Sequence, residues 1–266
     1  MNTGITATAL PEINALLDHL LRDMQAILGP KLVGLYLTGS LVTGDFDPNI
    51  SDIDLLAAMA ADIDDQDAEK LREMHDAFAR QYEEWDGRIE VAYLSVTGLQ
   101  TFRSHSSQLG IISPGEPFHV VEAGSLWLVN WYVVRERGLA LFGPPPGAVI
   151  APISRQEYVE AVVTQTRAWS EWIQEHPRRR PVLAYAILTL CRALYTYEHG
   201  EQASKIRAAA WAMQELPEWS SLIQRALKWR EAWRSDDMDD DAAFHETEQF
   251  VYFAIAWIGG TCPRRS

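Results

Sequence analysis

Leu35-Tyr36-Leu37-Thr38-Gly39-Ser40, followed twelve residues after the serine by Asp52-Ile53-Asp54-Leu55-Leu56, decides the fold of this 266-residue chain. The first stretch spells an apolar strand running into a Gly-Ser turn. A short loop closed by Gly44 follows, and the second stretch opens another apolar strand on two carboxylates. Side chains alternate across a strand, so Asp52 and Asp54 share one face while Ile53 and Leu55 take the other. Two carboxylates on one face repel unless a cation lies between them. Hard oxygen ligands suit Mg2+, which is usually held by one or two carboxylates together with substrate phosphates. The Gly39-Ser40 turn, at an expected helix start, offers backbone N–H groups to a phosphate. Either half alone also describes a solvated turn or a calcium loop. Together, a phosphate cradle and a metal seat point to nucleotidyl transfer.

Working outward, residues 10–28 place Ile13, Leu16, Leu17, Leu20, Leu21, Met24, Ile27 and Leu28 at helical spacing, and Gly29-Pro30 stops that helix. Asp45, Asp47, Pro48, Asn49 and Ser51 form the loop between the motif halves, with Asp and Asn suited to turns. A helix over about 66–82 follows the second strand, and Asp62, Asp64, Asp65 and Asp67 suit the positive end of its dipole. Arg88 to Leu94 reads as a third strand in which Glu90 is the one carboxylate among apolar residues. Beside the Asp52/Asp54 strand it joins them at the metal; on a sheet edge it faces water.

Residues 99–113 are poorly patterned, and Ser106, Ser107, Gly110, Pro114, Gly115 and Pro117 predict a mobile loop of the kind that contacts substrate beside a site, with Glu116 or Glu122 as its candidate acids toward a cationic substrate. A helix over 124–137 carries Trp127 and Trp131 as packing residues, and 139–142 is a short strand. Gly143-Pro144-Pro145-Pro146-Gly147 continues neither helix nor sheet and marks the expected boundary between domains 1–147 and 148–266. The second domain reads as five helices, over 154–172, 181–198, 204–214, 218–233 and 239–258, the first opened by the capping box Ser154-x-x-Glu157. Arg178-Arg179-Arg180 and the acidic run 236–241 fall between helices as solvated loops. The expected fold class is therefore an α+β domain, a mixed sheet with flanking helices, followed by an all-α bundle.

An apolar content of 47% builds an ordinary core, and a formal charge of −14 argues against nucleic acid and for cationic small molecules. Cys191 and Cys262 have no metal or disulfide spacing, so a reducing cytoplasm is the expected compartment. No apolar run reaches the roughly 18 residues of a membrane span, and no basic n-region precedes an apolar stretch.

The motif resembles that of nucleotidyltransferases of the polymerase-beta type: an apolar strand, Gly-Ser, a loop, then Ser51-Asp52-x-Asp54 before an apolar run. Further on, Thr189-Leu190-Cys191-Arg192-Ala193-Leu194-Tyr195, Ala203-Ser204-Lys205 and the stretch Ala210 to Pro217 are similar to the helical domain of streptomycin/spectinomycin adenylyltransferases. So is Arg135-Glu136 with Leu139 to Pro144. The resemblance implies transfer of AMP from ATP to a hydroxyl of an aminoglycoside-like polycation, with Mg2+ as cofactor and release of pyrophosphate. It implies Asp52 and Asp54 as metal ligands, Glu90 beside them as catalytic base, and Gly39, Ser40, Ser51, Arg192 and Lys205 around the nucleotide.

The chain also departs from that family. Where the family carries drug-binding acids, Arg178 to Val182 bring positive and apolar residues, and the family's streptomycin-stacking tryptophan has no clear counterpart in 104–117. The expected acceptor is therefore not streptomycin itself. A nucleotidyltransferase acting on a protein, as in toxin–antitoxin pairs, is the alternative, and a non-catalytic nucleotide-binding module is a third reading.

Overall fold

The computed structural model of the chain describes residues 5–231 and 239–260. The chain divides into two compact units, Met1–Ile153 and Ser154–Ser266. The elements of the first, in order, are α1 (Pro11–Leu28), β1 (Leu32–Thr38), α2 (Ser40–Thr43), β2 (Ile53–Met59), α3 (Asp65–Gln81), β3 (Ile89–Ser95), α4 (Val96–Thr101), β4 (Ser107–Ser113), β5 (Glu116–Ala123), α5 (Leu128–Arg137), β6 (Leu139–Phe142) and α6 (Pro146–Val149). The strands form one six-stranded mixed sheet in the order β5-β4-β3-β2-β1-β6. All neighbours are antiparallel except β2 and β3, which run parallel with α3 as their crossover.

Alternation along the strands gives the sheet two faces. Leu35 and Leu37 of β1, Ile53, Leu55 and Ala57 of β2, and Val91 and Tyr93 of β3 share a core with Leu17, Leu20 and Met24 of α1 and Leu71 and Phe78 of α3. Each fully buried side chain of this size contributes about 1.5–3 kcal/mol. Against the other face, α4 packs on β2 and β3, and α5 lies on β1. Trp131 and Val134 are the buried anchors of α5. The carboxylates of the motif lie on this second face.

His75 of α3 sits within the first core, its Nε2 2.8 Å from the Tyr93 hydroxyl and its ring stacked on Phe118 at 6.1 Å. Burial lowers its pKa to about 4 and pushes the Tyr93 phenol well above its ordinary value. An unfolded histidine titrates near 6.5, so between these values the unfolded chain binds a proton that the native chain refuses. Stability from this site is complete above about pH 6.5, is lost as pH falls, and levels off near pH 4, a total of about 3 kcal/mol. Urea unfolding of His75→Gln and the parent at pH 7 and pH 4.5 checks this: the parent loses more stability on acidification, and equal losses would contradict it.

The segment expected to be a mobile loop is instead an antiparallel hairpin, β4–β5, turning at Pro114-Gly115. Its glycine was misleading for a physical reason. A Cβ on Gly110 would lie 2.8 Å from Ile63 Cδ1 and 2.9 Å from the Phe118 ring, so the residue is small because β4 is crowded. The proline-rich run belongs to the first unit, where Pro146–Val149 forms a short helix and Arg135 donates to the Gly147 and Ile150 carbonyls.

The described residues of the second unit form the α-helices α7 (Arg155–Thr166), α8 (Trp169–Glu175), α9 (Arg180–His199), α10 (Lys205–Glu215), α11 (Ser220–Glu231) and α12 (Asp241–Ile258). The Ser154–Glu157 capping box forms in full, but the helix expected over 154–172 breaks after Thr166 and resumes at Trp169. The segment α9 is apolar nearly all round, as a helix enclosed by others must be, and α7, α10, α11 and α12 all pack on it. Cys191, on this helix, is fully buried, and its thiol pKa is raised by burial. Cys262, Trp233, Asp236 and Asp237 lie outside the described residues.

The two charged runs are not separate solvated loops. Arg178 pairs with Asp241 at 2.6 Å, Arg180 with Asp240 at 3.0 Å, and Arg179 and Asp239 form a β-bridge. The Asp240 N–H donates to the Arg178 carbonyl at 3.1 Å. The Ala243 N–H, and then the Arg180 guanidinium, hold the Asp240 carboxyl below its ordinary value.

Candidate active site

The site grows from the end of β1. Thr38 lies directly across from Asp54, and Asp54 lies directly across from Glu90, so the three share one face over three adjacent strands. Glu90 is therefore on an interior strand, not an edge. Asp52 precedes β2 by one position and projects to the same side as Asp54 by alternation. All three carboxylates are half-buried.

Gly39 follows Thr38 with φ +70, a conformation that glycine adopts without a Cβ penalty. An added Cβ would stand 1.7 Å from Asp54 Oδ2, so the carboxylate lies against bare backbone. Ser40 then opens α2, whose Val42 and Thr43 N–H groups donate back to the Gly39 carbonyl at 3.2 and 3.1 Å. The Ser40 and Leu41 N–H groups, at the start of the turn, have no acceptor within the helix. Gly44, with φ +85, closes it. The Thr38 hydroxyl oxygen, facing Asp54, is buried and has no hydrogen-bond partner among the described residues.

The loop 45–51 is tightly organised. Asp47 Oδ1 accepts from the Asn49 N–H at 2.8 Å, the Ser51 N–H donates to the Asp47 carbonyl at 2.8 Å, and Ser51 Oγ accepts from the Asp47 N–H at 3.0 Å. Ser51 is thus buried at the foot of the loop. The residue that sequence reasoning passed over is Arg88, read only as the start of a strand. It is buried and donates to the Pro48 and Ser51 carbonyls. An arginine opening a strand carries no pattern that distinguishes it from a surface residue.

Among the described residues, no three His, Cys, Asp or Glu side chains stand close enough together to form a ready-made metal cage. What the chain offers is in-register Asp54 and Glu90 with Asp52 alongside. That donor set fits a hard cation such as Mg2+, which keeps part of its shell for substrate oxygens.

Of the sequence-derived candidates, Gly39, Ser40, Ser51, Asp52, Asp54 and Glu90 lie in the first unit, and among them Asp54 and Glu90 are cross-strand neighbours with Gly39 against Asp54. Arg192, half-buried on α9, and Lys205, the first residue of α10 after its Ser204 cap, belong to the second. The Lys205 ammonium lies 5.3 Å over the Tyr185 ring.

The chain is similar to known proteins over most of its length. Residues 17–103 match the nucleotidyltransferase domain family, and residues 148–256 match the aminoglycoside adenylyltransferase C-terminal domain. An aminoglycoside (3'')(9) adenylyltransferase of Escherichia coli is 25% identical over 92% of this chain and 94% of that protein. One from Shigella flexneri is 24% identical over the same shares. The spectinomycin adenyltransferase AAD(9) from Enterococcus faecialis, crystallised with ATP and spectinomycin, has the same fold. Its TM-score is 0.71 at 17% identity, covering 91% of this chain and 98% of that one. With a nucleotidyltransferase domain ahead of an aminoglycoside adenylyltransferase C-terminal domain, the chain belongs to the aminoglycoside adenylyltransferase-like nucleotidyltransferases and is an enzyme of that class.

Proposed function

We propose that this enzyme transfers AMP from ATP to a hydroxyl of an aminoglycoside or related aminocyclitol, releasing pyrophosphate. The observation that carries the proposal is the in-register pair Asp54–Glu90 beside the Gly39-Ser40 turn. Asp52 and Asp54, with Glu90 adjacent, would hold Mg2+, which when bound would supply Lewis-acid neutralisation of charge on the phosphates. Glu90 takes the proton of the acceptor hydroxyl as that oxygen attacks the α-phosphorus, and the bond to pyrophosphate breaks. The N–H groups of Ser40 and Leu41, with Ser51, bind phosphate oxygens. Support for the acceptor class comes from the relatives, named for aminoglycosides and spectinomycin, and from the net charge of −14, which favours polycations.

The case against streptomycin weakens, because Arg178 and Arg180 are engaged by Asp241 and Asp240 and their charge is locally offset. The test is a panel of streptomycin, spectinomycin and other aminoglycosides with ATP and Mg2+, reading pyrophosphate release and the mass gain of one adenylyl group. Failure of every polycation to react would overturn the reading and favour a protein acceptor.

Arg192 and Lys205 are proposed as contacts to the β- and γ-phosphates, the guanidinium in bidentate fashion and the ammonium as a point charge. Arg192→Ala and Lys205→Ala are each expected to weaken ATP binding by about 1.5–3 kcal/mol, roughly 10- to 150-fold. Titration calorimetry giving parental affinity in both would refute these roles.

A further inference from the structure

We propose that Arg88 is a positioning residue for the metal-binding end of the site: its guanidinium fixes the loop backbone that leads into Asp52 and thereby sets divalent-cation affinity. The inference rests on the nucleotidyl-transfer reading above. Arg88 is only 4% exposed. Its Nη2 donates to the Pro48 carbonyl at 2.7 Å and to the Ser51 carbonyl at 2.5 Å, and its Nε reaches the Ser51 carbonyl at 3.1 Å. Its own carbonyl accepts from the Ile53 N–H at 2.9 Å. The peptide groups before and after Asp52 are therefore both tied to one residue.

The guanidinium plane lies on the Trp85 ring, 4.3 Å from its centroid, and that ring stacks on Phe46 at 6.5 Å. The start of the loop 45–51 is thus pinned from the same side. Burying a guanidinium is costly unless its donors are used, and here the planar fork meets two carbonyls that a lysine's point charge would not hold together.

A role in stability alone does not account for this arrangement. From Ile53 onward β2 is held in register by β1 and β3 on both sides. What the Arg88 fork adds is the conformation of residues 48–52, and these deliver Ser51 and Asp52 to the site. Partners that orient a ligand in this way are commonly worth roughly 10- to 100-fold in metal affinity.

The experiment uses the full chain with Arg88→Lys and Arg88→Ala. Mn2+ binding is titrated by electron paramagnetic resonance in the presence of an α,β-methylene ATP analogue, and thermal melting verifies folding. Mn2+ affinity is expected to fall roughly 10- to 100-fold in both variants. Ethylguanidinium should restore Mn2+ affinity to Arg88→Ala. Parental Mn2+ affinity in the folded variants would overturn this proposal alone. Absence of Mn2+ binding by the unaltered protein would overturn the nucleotidyl-transfer reading, and this proposal with it. Should neither Arg88 variant fold, Asp47→Ala opens the same loop from its Asx turn without touching the core. A several-fold loss of Mn2+ affinity supports the proposal, and an unchanged affinity overturns it.

Discussion

Asp54→Asn is expected to leave a folded protein that has lost nearly all adenylyl transfer. Asparagine matches aspartate in shape, so it fits against the Gly39 backbone where the carboxylate now lies. It removes one anion from a face that also carries Glu90 directly alongside and Asp52 two positions back, so the melting temperature should hold or rise. The chemistry loses the ligand charge that a metal needs. A metal's stabilisation of developing charge is worth several kcal/mol, so kcat should fall on the order of 10^3-fold or more. Asp52→Asn should behave alike. Single-turnover assays with a reactive acceptor measure the loss, and full activity in either variant would sink the assignment.

The second large effect is expected from the smallest change. Gly39→Ala places a methyl 1.7 Å from Asp54 Oδ2 at a position with φ +70. With ψ −149, Gly39 sits in an extended positive-φ region that is essentially reserved for glycine, where a residue with a Cβ costs about 1–3 kcal/mol. The greater consequence is that the carboxylate has to move. Transfer should drop to the level of Asp54→Asn, accompanied by a lowered melting temperature. Gly44→Ala supplies the control. It is in the left-handed αL region with φ +85 and ψ 8, and an added Cβ would meet nothing within 4 Å, so it should show a backbone penalty of about 1–2 kcal/mol with most activity retained. If the two variants lose activity equally, backbone strain rather than the carboxylate contact governs the turn.

The parts of the molecule legible in the sequence are those whose physics is local. The Gly-Ser turn, the Asp52–Asp54 alternation and the apolar stripe of α1 each follow from spacings of a few residues. Glu90 was readable as an anomaly in its strand, although only sheet order decides between site and edge. Where partners are distant, the sequence is silent. Arg178 and Asp241 are 63 positions apart, and no periodicity links them. Gly110 looks like a loop glycine until Ile63 and Phe118 are seen against it. Arg88 needed the Pro48 and Ser51 carbonyls, about 40 positions earlier, before it had a role. The two-residue break in the helix after Thr166 has no local breaker that we can identify.

The pairing of β6 with β1 bears on how the protein is made. Leu35 meets Phe142, and Leu37 meets Leu139, across more than a hundred intervening residues. Asp52, Asp54 and Glu90 are all synthesised well before that strand. Translation at about 5–20 residues per second leaves roughly 5–20 seconds in which β1 is the open edge of a nascent sheet. An open apolar edge invites pairing with another chain. The strand that ends in Gly39-Ser40 is thus the one most exposed to mispairing while the ribosome is still at work. A chain released before residue 139 would carry Asp52, Asp54 and Glu90 on a sheet with that edge unsealed.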